Sequence, residues 1–97
     1  MSQKYVLITG VSSGIGYDAV RFLINKDFYV FGSVRKEADV KRLTNEFPDN
    51  FTCLQFDVTK KEEVISSFDT VKTMLGENKL NGLVNNCLLY TSDAADE

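Results

Sequence analysis

The residues best suited to chemistry in this chain are Thr9-Gly10-Val11-Ser12-Ser13-Gly14-Ile15-Gly16, a glycine-rich turn between an apolar run and an amphipathic, helix-like run. The chemistry they suit is anion binding. Gly10 permits a tight turn, Gly14 keeps a Cβ out of the path of a pyrophosphate, and Gly16 lets a following helix pack close to the preceding strand. A helix starting near Gly14 aims its unpaired N–H groups and the positive end of its dipole back at the loop. The stretch predicts a nucleotide-phosphate cradle. It speaks about a cofactor and says nothing of a substrate.

The elements that must position this loop follow in order. Residues 4–9 form an apolar run suited to a fully buried central strand rather than a half-exposed one. Ile15, Ala19, Phe22 and Leu23 then recur at helical spacing until Asn25-Lys26-Asp27 breaks the pattern. Residues 28–34 are β-rich, Gly32 excepted, and complete a right-handed βαβ unit. Val40, Leu43 and Phe47 mark one face of a second helix stopped by Pro48-Asp49-Asn50, and residues 51–56 make the third strand. Thr59-Lys60-Lys61-Glu62 has the form of a capping box, ahead of a helix carrying Val64, Phe68, Val71 and Leu75 that Gly76 closes. Residues 80–85 give a short fourth strand centred on Leu83 and Val84. The expected architecture is α/β: the N-terminal part of a Rossmann-type doubly wound parallel sheet, βαβαβαβ, in strand order 3-2-1-4. Two helices fall on one face and one on the other, with a ligand expected at the reversal beside the first strand.

Bulk properties exclude several function classes. The 97 residues suffice for one small domain at most, fewer than a doubly wound sheet usually needs to cover both faces. A net charge of −3, with Lys and Arg scattered among acids, argues against nucleic acid or anionic lipid as partners. No apolar run approaches a membrane span, and Met1-Ser2-Gln3-Lys4 leads straight into a strand with no room for a signal peptide, so a cytoplasmic location is expected. Cys53 and Cys87 lack metal-ligand spacing, and the chain has no histidine to serve as zinc ligand or general base.

Thr9 to Gly16 resembles the Thr-Gly-x-x-x-Gly-x-Gly cofactor loop of the short-chain dehydrogenases/reductases, and Asp57-Val58 and Asn85-Asn86 match two further motifs of that family in order. The resemblance covers residues 4–86. It implies that the segment from Gly10 through Gly14 and Ile15 to Gly16 holds the pyrophosphate, with Ser12 and Ser13 adding hydroxyl donors. It implies that Asp57 accepts a hydrogen bond from the adenine amino group, that Val58 packs on the ring, and that Asn85 and Asn86 line the ribose region. An acid before a helix also suits the helix dipole, so Asp57 has a purely structural alternative. Family members that prefer NAD carry an acid at the end of the second strand, where this chain has Val34 followed by Arg35 and Lys36. A guanidinium there suits the 2′-phosphate of NADP, which makes NADP the expected cofactor ahead of NAD. A solvated surface charge is the alternative for Arg35.

The family continues Asn-Asn-Ala-Gly, whereas here Asn86 is followed by Cys87-Leu88-Leu89-Tyr90. Residues 87–97 agree, codon for codon, with an in-frame translation of a transposase-type sequencing adapter, and are expected to be a technical scar rather than native sequence. The resemblance implies catalysis by a serine and a Tyr-x-x-x-Lys pair further along the chain. Tyr5, Tyr17 and Tyr29 are followed four residues on by Thr9, Arg21 and Ser33, so no such pair exists among them and no turnover by these residues alone is expected. The implied parent is an NADP-preferring oxidoreductase of an alcohol or carbonyl, assembling as a homo-oligomer through later helices. Two alternatives stand beside it: a non-catalytic NAD(P)-sensing regulator on the same half-fold, and a Rossmann domain for another adenine ligand. An open edge on the fourth strand predicts that the isolated chain is poorly soluble or only partly folded.

Overall fold

A computed structural model describes residues 3–85 of the chain. Four strands alternate with three helices: β1 (Tyr5–Ile8), α1 (Gly14–Asn25), β2 (Tyr29–Val34), α2 (Glu37–Glu46), β3 (Phe51–Gln55), α3 (Lys61–Leu75) and β4 (Leu80–Val84). The strands form one parallel sheet in the order β3-β2-β1-β4, as the sequence predicts. Asn86 and residues 87–97 lie outside the described residues.

The apolar run of β1 pairs with β2 through Val6↔Val30 and Leu7↔Phe31 and with β4 through Leu7↔Leu83, which places it at the centre of the sheet. Alternate side chains of a strand point to opposite faces, so the buried residues divide into two cores. One joins Val6, Ile8, Val30 and Val34 to Val11, to Val20 of α1 and to Leu43 of α2. The other joins Leu7, Phe31, Leu54 and Phe56 to Val71 and Leu75 of α3. Two helices therefore cover one face and one helix the other.

Gly32 is fixed by packing: a Cβ built on it would lie 2.8 Å from the Phe51 ring and 2.8 Å from a Val11 methyl. The missing side chain lets β3 and the residue anchoring the glycine-rich loop close over β2. Helix ends follow local chemistry. Asp27 turns the chain out of α1 at φ 68, a left-handed conformation that Asp adopts more readily than most residues. Gly76 ends α3 at φ 61 and donates its N–H to the Lys72 carbonyl at 3.1 Å.

Two sequence expectations need correction. Of the expected α1 stripe, Ala19 and Leu23 pack against the core beside the buried Gly16 and Val20, while Ile15 and Phe22 are 75% and 61% exposed. The helical period holds, but the centre of the core-facing stripe is rotated onto Gly16 and Val20. The second correction concerns the capping box. α3 starts at Lys61 with Lys60 as its N-cap and no side-chain cap bond. The Thr59 hydroxyl instead donates to Asp57 Oδ1 at 2.7 Å, and Glu63 rather than Glu62 reaches back, accepting the Asp57 N–H at 2.9 Å. A turn closed by Lys60 N–H to the Asp57 carbonyl at 2.9 Å sets this geometry. The Asp57 carboxylate thus takes the hydroxyl that a capping box would have used.

Candidate functional site

The glycine-rich loop leaves the C-terminal end of β1 and is fastened on three sides. Thr9, buried, donates its N–H to the Val84 carbonyl at 3.0 Å, which ties the loop's start to β4. On the β2 side, Gly10 donates its N–H to Ser33 Oγ at 3.2 Å and Val11 donates to the Ser33 carbonyl at 3.0 Å. From α2, Arg42 Nη2 donates to the Ser12 carbonyl at 2.8 Å. Val11 is fully buried and anchors the turn.

Backbone shape explains the glycines. Gly10 and Gly14 sit at φ 70 and 65, in the left-handed region that a side chain disfavours. A Cβ on Gly14 would meet nothing within 4 Å and would project into open space. Ser13, extended, is the N-cap of α1 and makes no side-chain cap bond. The helix's first N–H groups therefore have neither a capping oxygen nor an acid in the first turn, whereas α2 has Glu37 and Asp39 there and α3 has Glu62 and Glu63. Ile15 stands exposed at the mouth of this helix end and Gly16 is buried beneath it. An anion placed there gains hydrogen bonds and the favourable end of the dipole.

Beside the loop lies a cavity of about 210 Å³ lined by Gly10, Ser12, Ser33, Val34, Arg35, Lys36, Asp39 and Phe56. A wider hollow of about 570 Å³ shares Arg35 and Lys36 with it and adds Gln55, Asp57, Lys60 and Glu63. Arg35, just past β2, thus stands between the glycine-rich loop and Asp57, and its Nη2 lies 3.5 Å from Asp57 Oδ2. Val58 and Asn85 line a third cavity of about 250 Å³ with Thr9, Phe56, Val64, Phe68 and Leu83. The structure therefore brings Gly10, Ser12 and Arg35 together, then Arg35 and Asp57, then Val58 and Asn85. Ser13, Gly14, Ile15 and Gly16 lie at the start of α1, and Asn86 is outside the described residues.

The Asp57 carboxyl titrates below its ordinary value of 3.8, first because of the Thr59 hydroxyl and then the Thr59 N–H; burial opposes them, and Arg35 and Lys60 lower it by smaller amounts. Its side chain is an acceptor at neutral pH and can receive a hydrogen bond from a ligand amino group. The Tyr17 and Tyr29 hydroxyls are engaged elsewhere. Tyr17 is hydrogen-bonded to Glu46, which raises its pKa, and Tyr29 shares a 2.6 Å hydrogen bond with Thr52. Burial pushes the Cys53 thiol up to about 11, so it stays protonated and weakly nucleophilic at neutral pH. Among the described residues no helix is long and apolar enough to cross a membrane.

Sequence reasoning passed over Ser33, Arg42 and Glu63, and read Thr59 only as the start of a capping box. A polar residue in the buried run of β2 was a signal for Ser33, which is 1% exposed. Arg42 had none, because its bond to Ser12 crosses 30 positions of sequence.

The sequence model of the short chain dehydrogenase family matches residues 4–96. An NADPH-dependent 3-dehydrocapnine reductase of Ornithobacterium rhinotracheale is 40% identical over 83 residues, covering 86% of this chain and 29% of that reductase. Retinol dehydrogenase 16 of Mus musculus is 33% identical over 97 residues, covering 100% of this chain and 31% of the mouse protein. Among solved structures, ElxO with NADP bound superposes with a TM-score of 0.77 at 32% identity over 88% of this chain and 35% of its own. The chain thus spans less than a third of the length of these curated relatives.

Proposed function

The chain belongs to the short-chain dehydrogenase/reductase family, and from that premise we propose that it is the cofactor-binding N-terminal part of an NADP-preferring oxidoreductase of an alcohol or carbonyl. The observation that carries the cofactor preference is Arg35. It follows Val34 at the end of β2, lines both the loop cavity and the Asp57 hollow, and has no acid in the position that would bind a ribose diol. The NADPH dependence named for the bacterial relative and the NADP in ElxO support the same assignment.

The residues present fit that cofactor. A Cβ at Gly14 would enter the space that a pyrophosphate needs, and the uncapped start of α1 offers its N–H groups to it. Gly10, Ser12, Ser13, Ile15 and Gly16 hold the pyrophosphate, Arg35 the 2′-phosphate, Asp57 and Val58 the adenine, and Asn85 with Asn86 the ribose side. When bound, NADP supplies a nicotinamide that exchanges hydride with the substrate. The work of this chain is to bind and orient it. The proton-transfer serine and Tyr-x-x-x-Lys pair belong to the rest of the relatives' length, as do the helices that build a homo-oligomer. In this proposal residues 87–97 are not native, and the enzyme is cytoplasmic.

Equilibrium titration of the full-length protein with NADPH and NADH tests the proposal. NADPH is expected to bind about tenfold or more tightly, the worth of a charge-assisted hydrogen bond, and Arg35→Ala is expected to erase most of that difference. Comparable affinities in the unmutated protein would overturn it.

A further inference from the structure

Arg42 Nη2 lies 2.8 Å from the Ser12 carbonyl and 3.1 Å from Asp39 Oδ1, so a single cation of α2 touches both the phosphate loop and an acid. Asp39 lines the same cavity as Gly10, Ser12, Arg35 and Lys36. A carboxylate in the wall of a cavity assigned to phosphate is a local repulsion, and the cations that oppose it from the same wall are Arg35 and Lys36. Arg42 approaches Asp39 from outside the wall. We propose that Arg42 is a positioning and charge-masking residue that raises the preference for NADP without touching it, by neutralising Asp39 and by holding the negative end of the Ser12 carbonyl dipole against α2.

The inference rests on the assignment of this site to NADP. It adds a residue that lies seven positions beyond Arg35 and outside the motifs quoted above. The masking acts differentially. The pyrophosphate is common to NAD and NADP, so its interaction with Asp39 largely cancels between them, and the 2′-phosphate carries the extra negative charge into the neighbourhood of Arg35, Lys36 and Asp39. Removing Arg42 therefore exposes NADP, more than NAD, to the Asp39 carboxylate. Side-chain exposures of 48% for Arg42 and 26% for Asp39 leave the pair partly solvated, which keeps the effect modest and the fold independent of it.

The readout is the ratio of the NADH and NADPH dissociation constants in the full-length protein, which a change in the folded fraction leaves unaltered. Arg42→Ala is expected to lower the NADPH preference about three- to tenfold, as for loss of a partly exposed ion pair beside a charged ligand, while Arg42→Lys keeps most of it. Asp39→Asn in the Arg42→Ala background is expected to restore the ratio, because the charge that Arg42 masked is then gone. Equal weakening of both cofactors by Arg42→Ala, or a double variant no better than the single one, would overturn the proposal and leave Arg42 as a loop fastener only. A preference for NADPH in the unmutated protein with an unchanged ratio in Arg42→Ala sinks this inference alone. No preference in the unmutated protein sinks the NADP assignment and this role with it.

Discussion

Ser33 holds the glycine-rich loop twice over: its Oγ accepts the Gly10 N–H at 3.2 Å and its carbonyl accepts the Val11 N–H at 3.0 Å. One buried residue of β2 thereby sets the height at which the loop leaves β1. Ser33→Ala removes the side-chain contact and leaves the main-chain one. The expected cost in the full-length protein is about 0.5–1.5 kcal/mol of stability, the net worth of a hydrogen bond, with weaker NADPH binding. Urea unfolding and cofactor titration check it, and an unchanged midpoint together with unchanged affinity counts against the contact.

Gly32 and Gly14 predict opposite signatures for the same substitution. At Gly32 an added methyl meets the Phe51 ring and Val11 at 2.8 Å, so Gly32→Ala is expected to cost about 1–3 kcal/mol by overpacking. At Gly14 the space is open and the strain is in the backbone, at φ 65, about 1–2 kcal/mol for a non-glycine residue. In the proposed binding mode Gly14→Ala also puts a methyl in the space assigned to the pyrophosphate. Gly32→Ala should therefore lower Tm and leave cofactor affinity nearly intact once folded, while Gly14→Ala should lose affinity out of proportion to stability. Parallel thermal melts and titrations distinguish the two.

Much of this was legible in the chain because short-range rules governed it. The apolar run of β1 could only be central, and right-handed crossovers then left 3-2-1-4 as the strand order. Gly10, Gly14 and Gly76 announced backbone shapes that few other residues adopt. What escaped depended on which distant element arrived beside a residue. Periodicity located α1 and two residues of its packed face, Ala19 and Leu23, but not its centre, since Gly16 carries no hydrophobic signal. Thr59 and Glu62 had capping-box spacing, yet the Asp57 carboxylate captured the hydroxyl and Glu63 took the backbone N–H. Arg42 and Ser12 meet only once the sheet has brought α2 alongside the loop.

Asp57 predicts an acid-side signature. Its folded pKa is lowered from 3.8, first by the Thr59 hydroxyl and then by the Thr59 N–H, with Arg35 and Lys60 contributing. A depressed carboxyl contributes stability above its unfolded value and loses that contribution as pH falls through the folded one. Thr59→Ala removes the largest cause and keeps the N–H donor. The Asp57 carboxyl should then titrate closer to 3.8, and its part of the acid destabilisation should become smaller and be complete at a higher pH. Carbon-detected NMR titration of Asp57 reads this directly, and an unmoved midpoint in Thr59→Ala would assign the depression to the Thr59 N–H, with Arg35 and Lys60, instead.

The last prediction concerns β4, which among the described residues pairs with β1 alone and leaves Leu83 and Val84 49% and 46% exposed. Phe68 of α3 borders the same side, and a groove of about 160 Å³ lined by Leu7, Phe68, Val71, Lys72, Leu75, Leu80 and Leu83 runs between helix and strand. An uncovered strand edge next to an apolar groove favours pairing with other chains. Expressed alone, the 97-residue chain is expected to aggregate or to melt without a sharp transition, whereas a chain continuing past Asn86 in the family's pattern should stay monomeric or assemble discretely and melt cooperatively. Size-exclusion chromatography and calorimetry on both chains make the comparison. The longer one is obtained by reading the gene past the Asn86 codon with a chemistry free of transposase adapters, where Ala-Gly and, further on, a serine and Tyr-x-x-x-Lys are expected. A frame that ends at Glu97, together with a cooperative melt of soluble monomer, would show that β4 needs no cover and would leave at most a truncated nucleotide-binding module.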